Sequence, residues 1–136
     1  MSASPPRGTR IAHIGIAVHA LDAILPIYRD ILGMSEVPLD DADGARIAGV
    51  AAGDSLVELL QAESADSPIG KFLAKRGPGI HHICFAVDDL EGTLARCRAA
   101  GLRLIDEVPR VGAEGKRIAF LHPASTGGVL VELSEH

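Results

Sequence analysis

Hydrophobic residues along the chain gather into short aliphatic runs separated by glycine, proline and charge. Ile11–Val18, Ile80–Val87 and Val129–Leu133 are rich in Ile, Val and Leu, which predicts strands. Within Leu90–Ala100, Leu90, Leu94 and Cys97 recur at helical spacing, with Asp88 or Asp89 available as N-cap. A second amphipathic stretch, Leu21–Leu32, contains Pro26, which removes a backbone donor and predicts a kinked helix. Ser67-Pro68 has the form of an N-cap followed by proline at the first helical position. A short linking helix over 67–77 should follow, stopped by Gly77-Pro78-Gly79.

These elements occur twice. His13-Ile14-Gly15-Ile16-Ala17-Val18 is echoed by His82-Ile83-Cys84-Phe85-Ala86-Val87, and Arg46-Ile47-Ala48 by Arg117-Ile118-Ala119. Leu56-Val57-Glu58-Leu59 is echoed in turn by Leu130-Val131-Glu132-Leu133. Each half reads as one strand, one helix and three strands, an α+β pattern of two tandem βαβββ modules over 11–62 and 80–135. Residues 11–136 are expected to form one domain, and 1–10 a disordered tail.

Alternation along the duplicated strands sorts side chains onto two faces. Ile14, Ile16 and Val18, like Ile83, Phe85 and Val87, form a face suited to packing under a helix. The other face carries His13, Gly15 and Ala17 in one copy and His82, Cys84 and Ala86 in the other. A face kept small around a histidine is what a ligand cavity needs, whereas a core built for stability favours Val, Ile and Leu. On the closing strands Val57, Leu59, Val131 and Leu133 take the packing face, and Glu58 and Glu132 point away from it. A carboxylate among apolar neighbours is costly unless paired or metal-bound. One buried histidine is ordinary; two histidines and two glutamates at duplicated positions point to a shared centre. Imidazole and carboxylate donors suit cobalt, manganese, nickel or iron, and four protein ligands leave two octahedral positions for water or substrate.

Composition narrows the possible functions. The 136 residues are 47% hydrophobic and 23% charged, a globular balance, and only 3% aromatic, so the core must be aliphatic. A net charge of −5 argues against a nucleic-acid partner, and no apolar run reaches the length of a membrane span. Met1 to Arg10 lack the apolar stretch of a secretory signal. Cys84 and Cys97 are too few for a disulfide framework, and a reduced, cytoplasmic setting is expected.

At these residues the chain resembles the vicinal oxygen chelate superfamily, whose paired βαβββ modules form one cupped mixed sheet around a metal. Within it the likeness is to the methylmalonyl-CoA epimerase family. It is carried by Asp66-Ser67-Pro68-Ile69 with Lys71-Phe72-Leu73, by Gly79-Ile80-His81-His82-Ile83, by Gly115–Pro123 and by Gly127–Leu133. The resemblance implies metal ligands at His13, Glu58, His82 and Glu132, with cobalt as the expected ion. Of the His81-His82 pair, His82 shares parity with His13 and is taken as the ligand. The implied chemistry is abstraction of the proton α to a coenzyme A thioester through a metal-stabilised enolate, with Glu132 as base. The second proton carrier stays open between Glu58, a water on the metal and an unplaced residue, because Arg46–Val50 holds no acid. Coenzyme A phosphates would need cations, for which Lys75, Lys116 and Arg117 are candidates alongside Lys71 and Arg76. A glyoxalase I-type lactoylglutathione lyase or a non-enzymatic binder of the same fold are the alternatives, and an extradiol dioxygenase fits less well. The superfamily's habit suggests a homodimer.

Overall fold

The computed structural model describes residues 8–136. The expected tail over 1–10 lies largely outside the described residues; the first strand, β1, is Arg10–Val18. After it come helix α1 (Leu21–Pro26), β2 (Glu36–Val37), β3 (Ala45–Ala52) and β4 (Ser55–Ala62). The linking helix α2 (Pro68–Arg76) leads to β5 (Gly79–Val87), α3 (Leu90–Ala99), β6 (Arg110–Val111), β7 (Arg117–Leu121) and β8 (Val131–Glu135). This is an α+β fold in which the order strand, helix, three strands occurs twice, as the sequence pattern predicts.

The chain divides into two compact units, His13–His82 and Ile83–His136 with the described residues up to Ala12. In the first, the strand order is β2-β3-β4-β1, with β1 parallel to β4 and the other pairs antiparallel. In the second the order is β5-β8-β7-β6, with β5 parallel to β8 and the rest antiparallel. Parallel strands need a long connection between them, supplied here by α1 with β2 and β3 and by α3 with β6 and β7.

In the His13–His82 unit, Val18, Leu21 and Leu59 pack with Ile16, Ile24, Leu25 and Val57, so the aliphatic face of β1 and β4 is covered by α1. Gln61 of β4 accepts a hydrogen bond from the Leu21 N–H at 2.8 Å and thereby satisfies a donor at the start of α1, whose N-cap, Ala20, has no side-chain oxygen to offer. Pro26 does more than kink this helix. It has no N–H to return to the carbonyl four residues back, and the chain widens into a π-helical turn over Ile27–Ile31, in which Leu32 N–H bonds the Ile27 carbonyl at 2.9 Å.

The opposite face is covered by α2. Ala17, Ala45, Leu60 and Ile69 are buried together, with Phe72 and Leu73 against them. The small-residue face is therefore open only in part: Ala17 was expected to line a cavity and instead lies wholly buried in the cluster that includes Ile69. Ser67 caps α2 as expected, accepting from Gly70 N–H at 3.1 Å, and Gly77 ends it at φ 76°.

In the other unit, α3 sets Leu90 and Leu94 against Val87, Ala119, Leu121 and Leu133. Asp89 is its N-cap, accepting from Gly92 N–H at 3.0 Å. Cys84 and Ala86, the rest of the expected cavity face, are fully buried with Ala12. Neither cysteine forms a disulfide, and partial burial pushes the Cys97 thiol pKa up.

Candidate metal centre

His13, Glu58 and His82 meet in the His13–His82 unit, and each is at least 95% buried. Register brings them together. On β1 and β4 Gly15 lies opposite Glu58, and on β3 Gly49 lies opposite it from the other side, so the carboxylate is flanked on both neighbouring strands by residues without side chains. The two empty places are used differently. Leu39 occupies the one at Gly49, where an added Cβ would stand 2.6 Å from its Cδ1. At Gly15 the space is taken by the imidazole of His82, with Nδ1 and Nε2 at 2.5 and 2.9 Å from where a Cβ would be.

The histidine rings cross almost at right angles, 5.1 Å between centroids, and their Nε2 atoms face each other at 3.0 Å. Nδ1 of His13 lies 3.2 Å from Oε2 of Glu58. All three residues can offer ligand atoms within 4.8 Å of one another. The donor set fits a divalent ion. Adjacent nitrogens of an octahedral centre with metal–nitrogen bonds of about 2.1 Å stand about 3.0 Å apart, the separation found here. Carboxylate contact at the remaining ring nitrogen is the usual way to fix a ligating imidazole. Burying a carboxylate beside an imidazole is also expensive without a cation to compensate it.

Residues 12–120 match the profile of the glyoxalase/bleomycin resistance protein/dioxygenase superfamily. An ethylmalonyl-CoA/methylmalonyl-CoA epimerase of Cereibacter sphaeroides is 40% identical over 131 residues, spanning 93% of this chain and 97% of its own. Methylmalonyl-CoA epimerase of Mycobacterium tuberculosis has the same fold, with a TM-score of 0.87 at 40% identity over 92% of this chain and 86% of that one. The chain belongs to the methylmalonyl-CoA epimerase family. A further member of that family, solved in complex with methylmalonyl-CoA and ammonium, has a TM-score of 0.89 at 41% identity, covering 93% of this chain and 94% of the other.

The remaining expected site residues fall as follows. Glu132 is buried on β8, in register with Cys84 on β5 and Phe120 on β7, and on the face opposite Leu133 and α3. Arg117 is exposed on β7 and donates to Glu91 of α3 at 2.9 Å and to Glu135 of β8 at 3.2 Å. The hydrogen bond to Glu91 raises its pKa, so the guanidinium is engaged on the helix side of the strand. Lys75 is exposed and Lys116 half-buried. His122, given no role from sequence, is structural: its Nδ1 accepts from Ala124 N–H at 3.0 Å and caps a short turn of 3-10 helix.

Two residues near this centre were given no part in it from sequence. Gly15 was read only as one of several small residues, although its lack of a Cβ is what admits His82. His81 was assigned to the opposite face by parity, yet its Nδ1 lies 3.0 Å from Nδ1 of His82. Repetition could have flagged Gly15, since the equivalent position in the second copy is the larger Cys84.

Proposed function

We propose that this chain interconverts the two epimers of methylmalonyl-CoA by removing and returning the proton α to the thioester. A divalent metal, cobalt by preference, would be held by His13, Glu58 and His82, with Glu132 as fourth ligand by its repeat equivalence to Glu58. The observation that carries this reading is the buried His13–Glu58–His82 cluster in a chain that matches epimerases of this substrate along nearly its whole length.

The chain's residues divide the work. His13 and His82 would present their Nε2 atoms as donors to the metal, and Glu58, whose Oε2 lies against His13, would supply an anionic one. When bound, the metal supplies a Lewis acid that offsets the negative charge developing on the thioester oxygen. Glu132 takes the α-proton onto its carboxylate and leaves an enolate. Inversion needs the proton back on the opposite face, so a second carrier must act there. Among this chain's own side chains Glu58 is the candidate, because Arg46–Val50 on β3 has no acid. Lys75, Lys116 and Arg117 are assigned to the coenzyme A phosphates, and Arg117 would have to exchange Glu91 and Glu135 for them.

Proton NMR of methylmalonyl-CoA in deuterated water tests the reading. Loss of the α-proton signal with interconversion of epimers is expected in the cobalt-loaded protein and not in the chelator-treated one. Exchange in neither sample would remove the epimerase reading. We also infer a cytoplasmic homodimer, which light scattering of the purified protein checks for its oligomeric part; no described helix is long and apolar enough to cross a membrane.

A further inference from the structure

We propose that His81 is a positioning residue. It fixes the ring and tautomer of His82 through their facing Nδ1 atoms and is itself held by Phe72 of the linking helix. The inference rests on the metal-site reading above and extends it to a residue outside the ligand set.

A histidine can ligate through Nε2 only when that nitrogen carries no proton, so the partner of the other nitrogen decides whether the ligand is ready. His82 directs Nε2 at His13 and Nδ1 at His81, both at 3.0 Å. One proton occupies the contact between the two Nδ1 atoms of a neutral pair. When it sits on His82 and His81 accepts, Nε2 of His82 is bare and faces the centre. His13 has the matching arrangement, with Glu58 at its Nδ1.

Neighbouring strand residues ordinarily point to opposite faces, and burial along β5 follows that rule, with His81 half-buried and His82 buried. The two rings nevertheless meet edge to face, with centroids 5.2 Å apart and planes at 90°. His81 is seated in turn against Phe72, centroids 5.0 Å apart and planes at 81°. Phe72 belongs to α2, which is anchored by the Ser67 cap and packs on Ala17 and Leu60 through Ile69. His82 is thus confined by the bare backbone of Gly15 and by His81, and α2 holds the second of these in place.

Three proteins separate a hydrogen-bonding role from simple packing: wild type, His81→Phe, which keeps a ring against Phe72 but has no acceptor, and His81→Asn, whose side-chain oxygen can stand where Nδ1 stood. In long-range proton–nitrogen correlation spectra of the metal-free proteins, His82 is expected to be protonated on Nδ1 in wild type and in His81→Asn. A mixture of tautomers is expected in His81→Phe. Titration with cobalt, followed by its visible absorption, should show affinity about 10–100-fold weaker in His81→Phe with an altered band shape, and most of that loss restored in His81→Asn. Circular dichroism confirms that all three are folded. His82 protonated on Nε2 in wild type would overturn the proposal, as would cobalt affinity in His81→Phe within twofold of wild type or equal losses in both variants. The expected tautomers in a wild-type protein that binds no cobalt would sustain the positioning role and sink the metal reading instead.

Discussion

Replacing Gly15 with alanine should disable the centre without touching any proposed ligand, and the structure gives the size of the effect. A Cβ at position 15 would stand 2.5 Å from Nδ1 and 2.9 Å from Nε2 of His82, with Cε1 closer still. Ordinary carbon contacts lie at about 3.5–4.0 Å, so the ring must retreat by about an ångström or more. It cannot do so cheaply, because a shift of that size breaks the contacts of its Nδ1 with His81 and of its Nε2 with His13. Overpacking of this kind costs about 1–3 kcal/mol, and a ring displaced by an ångström no longer keeps Nε2 opposite His13. Glycine within a strand is by itself unfavourable by roughly 0.5–1 kcal/mol, so the same substitution should become stabilising once the ring is gone. The assay is urea unfolding of the metal-free proteins in a double-mutant cycle, with cobalt titrations of the single variant. Gly15→Ala is expected to destabilise wild type by about 1–3 kcal/mol, but to stabilise a His82→Ala background by roughly 0.5–1 kcal/mol. Cobalt affinity in Gly15→Ala should fall at least tenfold. Equal effects in the two backgrounds would refute the idea that the space at Gly15 exists for the His82 ring.

Glu132→Gln keeps an oxygen ligand but removes the base, so α-proton exchange should fall by about 10²–10⁴-fold while cobalt still binds; exchange within tenfold of wild type would remove Glu132 from that role. Gly70→Ala on α2 would bring a Cβ to 2.8 Å from the Ala65 carbonyl oxygen, with the Ser64 carbonyl nearer still, and a backbone cannot swing aside as a side chain can. That variant should lose about 1–3 kcal/mol in urea unfolding, and a loss below about 0.5 kcal/mol would show that the turn before α2 is softer than its packing implies.

Period-two alternation is a strong code for which face a side chain takes, and that is why His13, Glu58, His82 and Glu132 could be read as lying opposite the aliphatic face of their strands. It carries no information about what comes to lie over that face. Ala17 looked like the continuation of a cavity, yet a residue far along the chain, Ile69, covers it, because α2 needs small partners to pack closely. Cys84 and Ala86 are closed in the same manner, in a cluster with Ala12. Local chemistry was legible where one residue type has one job, as at the caps Ser67 and Asp89, whose oxygens meet the backbone donors three residues on. At Pro26 the sequence announces that a donor is missing but not how the chain absorbs the loss, and a π-helical turn was one of several solutions. His81 marks the limit of parity most clearly. Opposite faces are defined by where Cβ atoms leave the strand, whereas imidazole nitrogens sit two or three bonds further out, far enough for adjacent rings to turn edge to face and share a proton. His82 therefore meets a ring that alternation assigns to the other face of its strand. For this protein that makes α2, through Phe72 and His81, part of the machinery that holds His82.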